Sequence, residues 1–261
     1  SWSNMSDIIR VGIEAARIAG AYLLEHFEKP QQIHVKADRN LVTDVDRAAQ
    51  GLIIDLIRTR YPRHGIIAEE GDSRQEDAEY LWIIDPLDGT HNYIRGIAIF
   101  GVSIGIVHKG SYTGGVIYMP SDGGELYVAE KGNGSYKNDK RISVSSKGSF
   151  QECSVSFDSG IRYAPQRLLP VLGELASRAF NVRMFGSSAR ALSYLAEGKI
   201  DIAVEFEDQP WDCAAGICLI EQAGGRVTDL AGGRMSHTSI GYVASNGKTH
   251  EEVLDIVRKY G

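Results

Sequence analysis

Cysteine is scarce in this sequence of 261 residues, which contains only Cys153, Cys213 and Cys218. An odd and small number of cysteines provides no disulfide framework, and a chain of this length buries a core large enough to need none. We therefore expect three reduced thiols and a cytoplasmic location.

Long apolar runs and an excess of positive charge are also missing. The longest apolar segments, Leu81 to Ile84 and Ile97 to Val107, are far shorter than the ~20 residues that span a bilayer. The sequence has 28 Lys and Arg residues against 34 Asp and Glu residues, so its formal net charge is −6. A nucleic-acid backbone is negatively charged and attracts positively charged proteins, which this chain is not. The sequence therefore predicts no membrane and no nucleic-acid polymer as partner, which leaves a small molecule.

The composition is that of an ordinary folded chain, with 43% hydrophobic and 24% charged residues. Its length allows one large domain or two packed lobes. The polar stretch from Asn138 to Gly148 is the best candidate boundary. We expect an N-terminal α+β lobe over residues 5–140, carrying most of the acidic motifs described below, and a C-terminal α/β lobe over 141–261.

Hydrophobic spacing predicts the secondary structure. Period 3.6 indicates helices, and short apolar runs bounded by turn residues indicate strands. The predicted helices cover 7–27, 43–61, 165–178, 187–197, 210–223 and 248–260. The predicted strands cover 65–68, 81–84, several antiparallel segments within 100–136, and 154–157, 182–185, 200–206 and 242–245. The alternation predicts an α/β class of fold.

The segment Asp85-Pro86-Leu87-Asp88-Gly89 follows a predicted buried strand. Two carboxylates three residues apart at a strand end can converge on one group of cations, and the Leu87 carbonyl can add an oxygen ligand. Asp-Pro and Asp-Gly are also common turn formers, so this segment alone leaves both interpretations open.

Two further acidic clusters favour the cation site. Glu69 and Glu70 directly follow the preceding predicted strand. The alternative interpretation is that they lie in a solvated loop and bind no cation. Asp212 lies in the first turn of a predicted helix, where the alternative is a carboxylate that complements the helix dipole. Together the three clusters describe a carboxylate cage for two or three Mg²⁺ ions, an arrangement that stabilises in-line attack on phosphorus.

These motifs, in this order, resemble those of the inositol monophosphatase family of Mg²⁺-dependent, Li⁺-sensitive phosphatases. The resemblance spans nearly the whole chain. It is carried by the segments Ala68-Glu69-Glu70, Asp85-Pro86-Leu87-Asp88-Gly89-Thr90-His91-Asn92 and Trp211-Asp212-Cys213-Ala214-Ala215-Gly216. It implies an α/β (layered α+β) fold of the sugar phosphatase type, a five-layer αβαβα sandwich, and a homodimer.

The resemblance also implies roles for single residues. The first metal would be held by Glu69, Asp85 and the Leu87 carbonyl, and the second by Asp85, Asp88 and Asp212. Glu69 would also serve a weaker third metal site.

Thr90, hydrogen-bonded to Asp46, would orient and activate the attacking water, in agreement with general-base logic. The backbone amides of Gly89 and Thr90 would receive phosphate oxygens. Lys36 matches a basic position near the metals, although a solvated lysine is the alternative.

For the substrate side, the resemblance implies Asp88, Gly89, Thr90 and Asp212 at the phosphate. Gly186, Ser187, Ser188 and Glu205 would lie at the leaving group. A carboxylate such as Glu205 accepts hydrogen bonds from two vicinal hydroxyls, while a surface charge at a strand end is its alternative. Ser188, Arg95 and Ala98 depart from the usual family residues, which leaves the choice of substrate open.

We expect hydrolysis of a small phosphate monoester, with inositol 1-phosphate first among the substrates. Fructose 1,6-bisphosphate, 3′-phosphoadenosine 5′-phosphate and histidinol phosphate are alternative substrates. A catalytically idle homologue that binds an inositol phosphate or a partner, or a purely structural cation site, is the alternative to an enzyme. The complete set of ligands together with Thr90 and Asp46 favours the enzyme.

Overall fold

A computed structural model of the chain describes residues 1–36 and 41–261. Its α-helices are α1 (Asp7–His26), α2 (Asp44–Arg60), α3 (Thr90–Ile94), α4 (Pro165–Arg178), α5 (Ser188–Ala196), α6 (Pro210–Gln222) and α7 (His250–Tyr260). Its strands are β1 (Ile33–Val35), β2 (Leu41–Thr43), β3 (Gly65–Ala68), β4 (Tyr80–Asp88), β5 (Gly101–His108), β6 (Ser111–Met119), β7 (Glu125–Glu130), β8 (Gly134–Lys137), β9 (Lys140–Ile142), β10 (Ser154–Phe157), β11 (Asn181–Arg183), β12 (Ile202–Glu205), β13 (Arg226–Thr228) and β14 (Tyr242–Ser245).

Two sheets and three pairs of helices form five layers. Helices α1 and α2 cover one face of a seven-stranded sheet with the order β3-β4-β5-β6-β7-β8-β9. Helices α5 and α6 lie between that sheet and a five-stranded sheet with the order β11-β10-β12-β14-β13. Helices α4 and α7 cover the outer face of the five-stranded sheet. The expected αβαβα sandwich is confirmed.

Local sequence fixes the start and the end of α2. The Thr43 hydroxyl accepts a hydrogen bond from the backbone N–H of Asp46, and the Asp46 carboxylate accepts one from the backbone N–H of Thr43 at 2.9 Å. This reciprocal cap satisfies two donors that the first turn would otherwise leave unpaired. The helix ends just before Tyr61 and Pro62, because the residue before a proline disfavours helical geometry.

Small residues let α6 lie directly on the seven-stranded sheet. A side-chain carbon added at Gly105 of β5 would meet the Ala214 Cβ at 2.5 Å, and one added at Gly115 of β6 would meet the Ala215 carbonyl oxygen at 2.4 Å. The helix and the sheet are thus in backbone contact. This close packing brings the first turn of α6, with Asp212, to the end of β4.

The structure corrects several sequence-based predictions. The strand predicted to stop at Ile84 continues through Asp88, and β1, β2, β9 and β13 were not predicted. All three residues of β1 are exposed, and a run of three residues is shorter than the apolar segments of roughly four to eight residues from which strands are predicted. Strand β11 covers 181–183 instead of 182–185.

The lobes 5–140 and 141–261 stay a prediction. Strand β9 spans that boundary and pairs with β8, and α6 of the second lobe packs on the sheet of the first.

The three cysteines are buried and unpaired. Within the described ranges, every helix is too short or too polar to cross a membrane.

Candidate active site

A bulge in β4 brings two acidic side chains to the same site. Asp85 pairs with Ser103 of β5 and Asp88 pairs with Gly101, so β4 has one residue more than β5 between these two pairs. Residues three apart in a regular strand point to opposite faces, and the extra residue cancels that alternation. Asp85 and Asp88 are both buried, and Asp85 accepts a hydrogen bond from the backbone N–H of Leu87 at 3.2 Å.

Asp212 completes a compact group of carboxylates with Asp85 and Asp88. Each of the three offers an oxygen, and these oxygens all lie within 4.8 Å of one another. Asp212 is fixed at the third position of α6, where it accepts a hydrogen bond from the backbone N–H of Gln209 at 2.8 Å. Hard divalent cations bind such sets of oxygens, so the donor chemistry fits Mg²⁺.

The electrostatics of Asp85, Asp88 and Asp212 also favour the binding of a cation. Burial first, and then the neighbouring Glu69 and Asp88 carboxylates, raise the pKa of Asp85 well above its usual range. Burial likewise raises the pKa of Asp212 well above its usual range and that of Asp88 to about 6. Buried carboxylates are costly unless they are paired or bind a metal.

Glu69 lies directly after β3, close enough to Asp85 for the two carboxyl groups to shift each other's pKa. Its pKa is raised, chiefly by burial. Gln50 of α2 fastens this segment, because its side chain accepts from the backbone N–H of Glu70 at 2.9 Å and donates to the Gly71 carbonyl at 3.0 Å. Gln50 was not predicted from the sequence, although a polar residue on the apolar face of a predicted helix was an available signal.

Lys36 lies at the outer side of Glu69 and Glu70. Its Nζ is 2.9 Å from Glu70 Oε1 and 3.5 Å from Glu69 Oε1. Burial lowers the pKa of Lys36, but the two carboxylates outweigh burial and the net direction is upward. Lys36 is therefore a cation at neutral pH and an ion-pair partner, not only a solvated side chain.

Thr90 and Asp46 meet behind the carboxylates. The Thr90 hydroxyl lies 3.0 Å from Asp46 Oδ2 and 3.2 Å from the Leu87 carbonyl oxygen, and both oxygens are within reach as acceptors. Asp46 is fully buried, and burial raises its pKa. The cap of α2 and the short helix α3 thus hold a hydroxyl and a carboxylate together next to the cation site.

Gly89 begins α3 with a φ of +89°, which L side chains rarely adopt. A side-chain carbon there would meet the Ile99 carbonyl oxygen at 2.6 Å. Asn92 of α3 donates to the carbonyls of Ile99 and Phe185 at 3.0 and 2.9 Å and so joins this turn to the segment before α5. No role was predicted for Asn92, although it belongs to the same motif.

The segment at the start of α5 contacts both sides of the crevice. The Ser187 hydroxyl donates to Asp88, and the Ser188 hydroxyl donates to Asp208 in the loop before α6. Gly186, with a φ of +68°, lies against the Asn92 amide. The structure therefore places Gly186, Ser187 and Ser188 beside Asn92, Asp88 and Asp208, and their contact with a leaving group stays a prediction.

Glu205 ends β12, and burial first, and then the neighbouring Asp208 and Asp158 carboxylates, raise its pKa well above the usual range. Asp158 also accepts from the backbone N–H groups of Phe206 and Gly160 at 3.0 and 2.6 Å. Asp158 and Asp208 were not predicted from the sequence, since acidic residues near strand ends carry no distinctive spacing. Arg95, by contrast, is exposed on the end of α3.

Comparisons with known proteins agree with this geometry. A sequence model described as the Inositol monophosphatase family matches residues 4–261. A protein of Thermotoga maritima named fructose-1,6-bisphosphatase/inositol-1-monophosphatase is 35% identical over 254 residues, covering 97% of this chain and 96% of its own. The Escherichia coli protein named Nus factor SuhB is 34% identical over 259 residues, covering 97% of both chains.

Solved structures give the same result. An inositol monophosphatase from Thermotoga maritima superposes with a TM-score of 0.90 at 34% identity, covering 98% of both chains. The extragenic suppressor protein SuhB from Bartonella henselae superposes with a TM-score of 0.91 at 32% identity, covering 97% of this chain and 99% of its own. Fold, acidic site and sequence agree, and the chain belongs to the inositol monophosphatase family, a family of phosphatases.

Proposed function

We propose that the protein hydrolyses a small phosphate monoester with the help of Mg²⁺, and that inositol 1-phosphate is its foremost substrate. One observation carries the proposal above all others. The hydrogen-bonded pair of Thr90 and Asp46 lies directly beside the group formed by Asp85, Asp88 and Asp212. A cation site alone needs no such pair.

Glu69, Asp85, Asp88, Asp212 and the Leu87 carbonyl would hold two or three Mg²⁺ ions. The oxygen donors of this set, and the mutual proximity and burial of Asp85, Asp88 and Asp212, support the assignment. When bound, the metal neutralises phosphate charge and makes a water more acidic.

Thr90 and Asp46 would position that water and receive its proton. With its own proton donated to Asp46, the Thr90 oxygen offers a lone pair to the water. Asp46 is then the base at the end of the chain of hydrogen bonds. Its burial raises its pKa and makes it a stronger proton acceptor than a solvated carboxylate.

The remaining residues would bind the substrate and balance charge. The backbone amides of Gly89 and Thr90 would receive phosphate oxygens, and Lys36 would offset the charge of Glu69. Gly186, Ser187, Ser188 and Glu205 would face the leaving group. Hydroxyl and carboxylate groups in this arrangement suit the hydroxyls of a polyol.

Phosphate release from a matched panel of substrates tests the proposal. The panel is inositol 1-phosphate, fructose 1,6-bisphosphate, 3′-phosphoadenosine 5′-phosphate and histidinol phosphate, each with Mg²⁺ and with a chelator. We expect release that needs Mg²⁺ and is fastest with inositol 1-phosphate. A preference for one of the other three compounds would make that compound the foremost substrate in place of inositol 1-phosphate. No release by the folded protein supplied with Mg²⁺ would contradict the proposal that it is an enzyme.

A second candidate function is binding without catalysis. Its support is the name Nus factor that the similar Escherichia coli protein carries, which suggests a role other than phosphate release. If that role applied here, variants without turnover would keep it.

The cytoplasmic location, the homodimer and the sensitivity to Li⁺ remain predictions. Cell fractionation would check the first, sedimentation the second, and LiCl titration of turnover the third.

A further inference from the structure

Ser103 of β5 lies directly opposite Asp85 of β4 in the seven-stranded sheet. Directly opposed residues of antiparallel strands point to the same face, with their Cβ atoms about 4.5–5.5 Å apart. The neighbours of Ser103 along the strand, Val102 and Ile104, pack into the apolar cluster under α1 and α2. Ser103 therefore points to the opposite face of the sheet, where Asp85 meets Asp212 of α6.

The hydroxyl of Ser103 is buried without a partner. The side chain is fully buried, and its Oγ makes no hydrogen bond with any residue in the described ranges. By contrast, Ser135 of β8, equally buried in the same sheet, donates to the Leu219 carbonyl oxygen of α6 at 2.6 Å. Buried polar groups are nearly always satisfied, and bulk water does not reach this one, so we expect a protein group as its partner. The polar side chain that the strand register places opposite Ser103 is Asp85.

The small size of Ser103 has a packing reason, but its hydroxyl does not. Gly105 lies two residues further along β5 on the same face, and a side-chain carbon there would collide with Ala214 of α6. This face therefore lies close to the helix and favours small side chains. Alanine at position 103 would also be small and would bury no unpaired hydroxyl, which costs free energy. The hydroxyl therefore points to a role beyond packing.

We propose that Ser103 is a positioning residue for Mg²⁺ that acts through Asp85, because its hydroxyl donates a hydrogen bond to the Asp85 carboxylate when the cation is bound. The inference rests on the proposed function, in which Asp85 serves two metal ions. An ionised carboxylate has about four lone-pair positions. The backbone N–H of Leu87 uses one of them at 3.2 Å, and the others suffice for the metal ions and the hydroxyl. Such a hydrogen bond fixes the orientation of a ligand and so raises metal affinity.

Ser103→Ala separates the effect of the hydroxyl from the effect of side-chain size. We expect the Kd for Mg²⁺, measured by calorimetry, to rise about tenfold, which is the lower end of the range for loss of such a partner. The kcat at saturating Mg²⁺ should change less than about threefold, since the ligands themselves stay in place. In chelator, the Tm should stay the same or rise by about 2–4 °C, because the variant no longer buries an unpaired hydroxyl. A merely structural role would not weaken metal binding while sparing the Tm.

Ser135→Ala is the matched control, since it removes an equally buried hydroxyl from the same sheet, but one that has a partner. We expect the opposite pattern in this variant, with a Tm in chelator lower by about 2–4 °C and a Kd for Mg²⁺ within about twofold of the wild type. Ser103→Cys is the second variant and is used alone if Ser103→Ala fails to fold. Its thiol is a weak donor, so its Kd should lie between the values of the wild type and Ser103→Ala.

A folded Ser103 variant with the Kd of the wild type for Mg²⁺ would overturn the inference and leave the phosphatase intact. A Tm of Ser103→Ala in chelator that falls as far as that of Ser135→Ala would do the same, since the hydroxyl would then have a structural partner. A folded wild type that binds no Mg²⁺, or that releases no phosphate from any compound of the panel, would overturn the proposed function, and the inference with it.

Discussion

The Thr90 hydroxyl lies 3.0 Å from Asp46 Oδ2, which joins the start of α3 to the first turn of α2 across 44 residues of sequence. Asp46 is at the same time the acidic member of the cap on α2. One carboxylate therefore fixes a helix start and faces the group we propose to orient water. The stability of α2 and the geometry of the reaction depend on the same side chain.

Replacing either member of this pair should slow turnover far more than it weakens Mg²⁺ binding. We expect Thr90→Ala and Asp46→Asn each to lower kcat by about 10²- to 10³-fold, the range for loss of a positioned proton acceptor. Steady-state kinetics with Mg²⁺ titration measures both quantities. Asp44→Asn, an exposed carboxylate in the same turn of α2, is the control and should change kcat less than about threefold. If Thr90→Ala and Asp46→Asn lower kcat by only a few fold, the pair does not orient or deprotonate the attacking water.

Asp88 should make the metal-free protein less stable, relative to Asp88→Asn, as the pH rises. Burial raises the pKa of Asp88 from near 4 to about 6, so the folded state holds this proton more tightly than the unfolded state. Stability that is complete below the unfolded pKa is then lost as the pH rises through the folded pKa, by on the order of 2 kcal/mol. Thermal melts in chelator between about pH 4 and pH 7 measure the loss.

Mg²⁺ should reverse this trend, because it binds the carboxylates that have lost their protons. The Tm gained with Mg²⁺ should be larger at pH 7 than at pH 5. Asp88→Asn should reduce this pH dependence without abolishing it, because Asp85 and Asp212 also have raised pKa values. Tm values of the metal-free wild type and of Asp88→Asn that change in parallel over this range would show that Asp88 does not strain the folded state.

Gly89 should tolerate no side chain. Gly89→Ala forces a φ of +89° on an L residue and a contact of 2.6 Å with the Ile99 carbonyl oxygen. We expect a loss of about 2–4 kcal/mol in the free energy of unfolding, measured by urea denaturation, together with loss of turnover. Gly51→Ala is the control, since open space surrounds that position in α2, and it should leave stability unchanged or raise it by up to about 1 kcal/mol. Equal stability of the two variants would contradict the strain at Gly89.

Gln50 should control metal affinity without touching the metal. It holds the segment after β3 through the backbone of Glu70 and Gly71, and Glu69 lies at the start of that segment. We expect Gln50→Ala to raise the Mg²⁺ concentration for half-maximal turnover about tenfold, while kcat returns at high Mg²⁺. A kcat that Mg²⁺ cannot restore would place Gln50 in the chemical step, and an unchanged Mg²⁺ dependence would show that the segment needs no such tether.

The sequence predicted most helices, the buried strands and the acidic motifs because these depend on local patterns, whereas the five layers followed from the family resemblance. Helix α2 follows from its cap and from Pro62, and the buried strands follow from apolar runs that end in Glu69 or Asp85. The bulge in β4 was not predictable, since it depends on pairing with β5. Asp158, Asp208 and Tyr242 meet only through tertiary packing, so no spacing in the chain announces them.

The most direct test of the account is a Mg²⁺ titration of the wild type and of Asp212→Asn by calorimetry, with phosphate release from inositol 1-phosphate measured on the same samples. Asp212 is the ligand that α6 brings to β4, and removing its charge should leave the packing of Ala214 and Ala215 on the sheet intact. We predict that the folded variant loses the Mg²⁺ ion that Asp85, Asp88 and Asp212 would hold and that its turnover falls by at least about 10²-fold. A folded Asp212→Asn that releases phosphate at the wild-type rate would contradict the proposal that these carboxylates hold the catalytic metal.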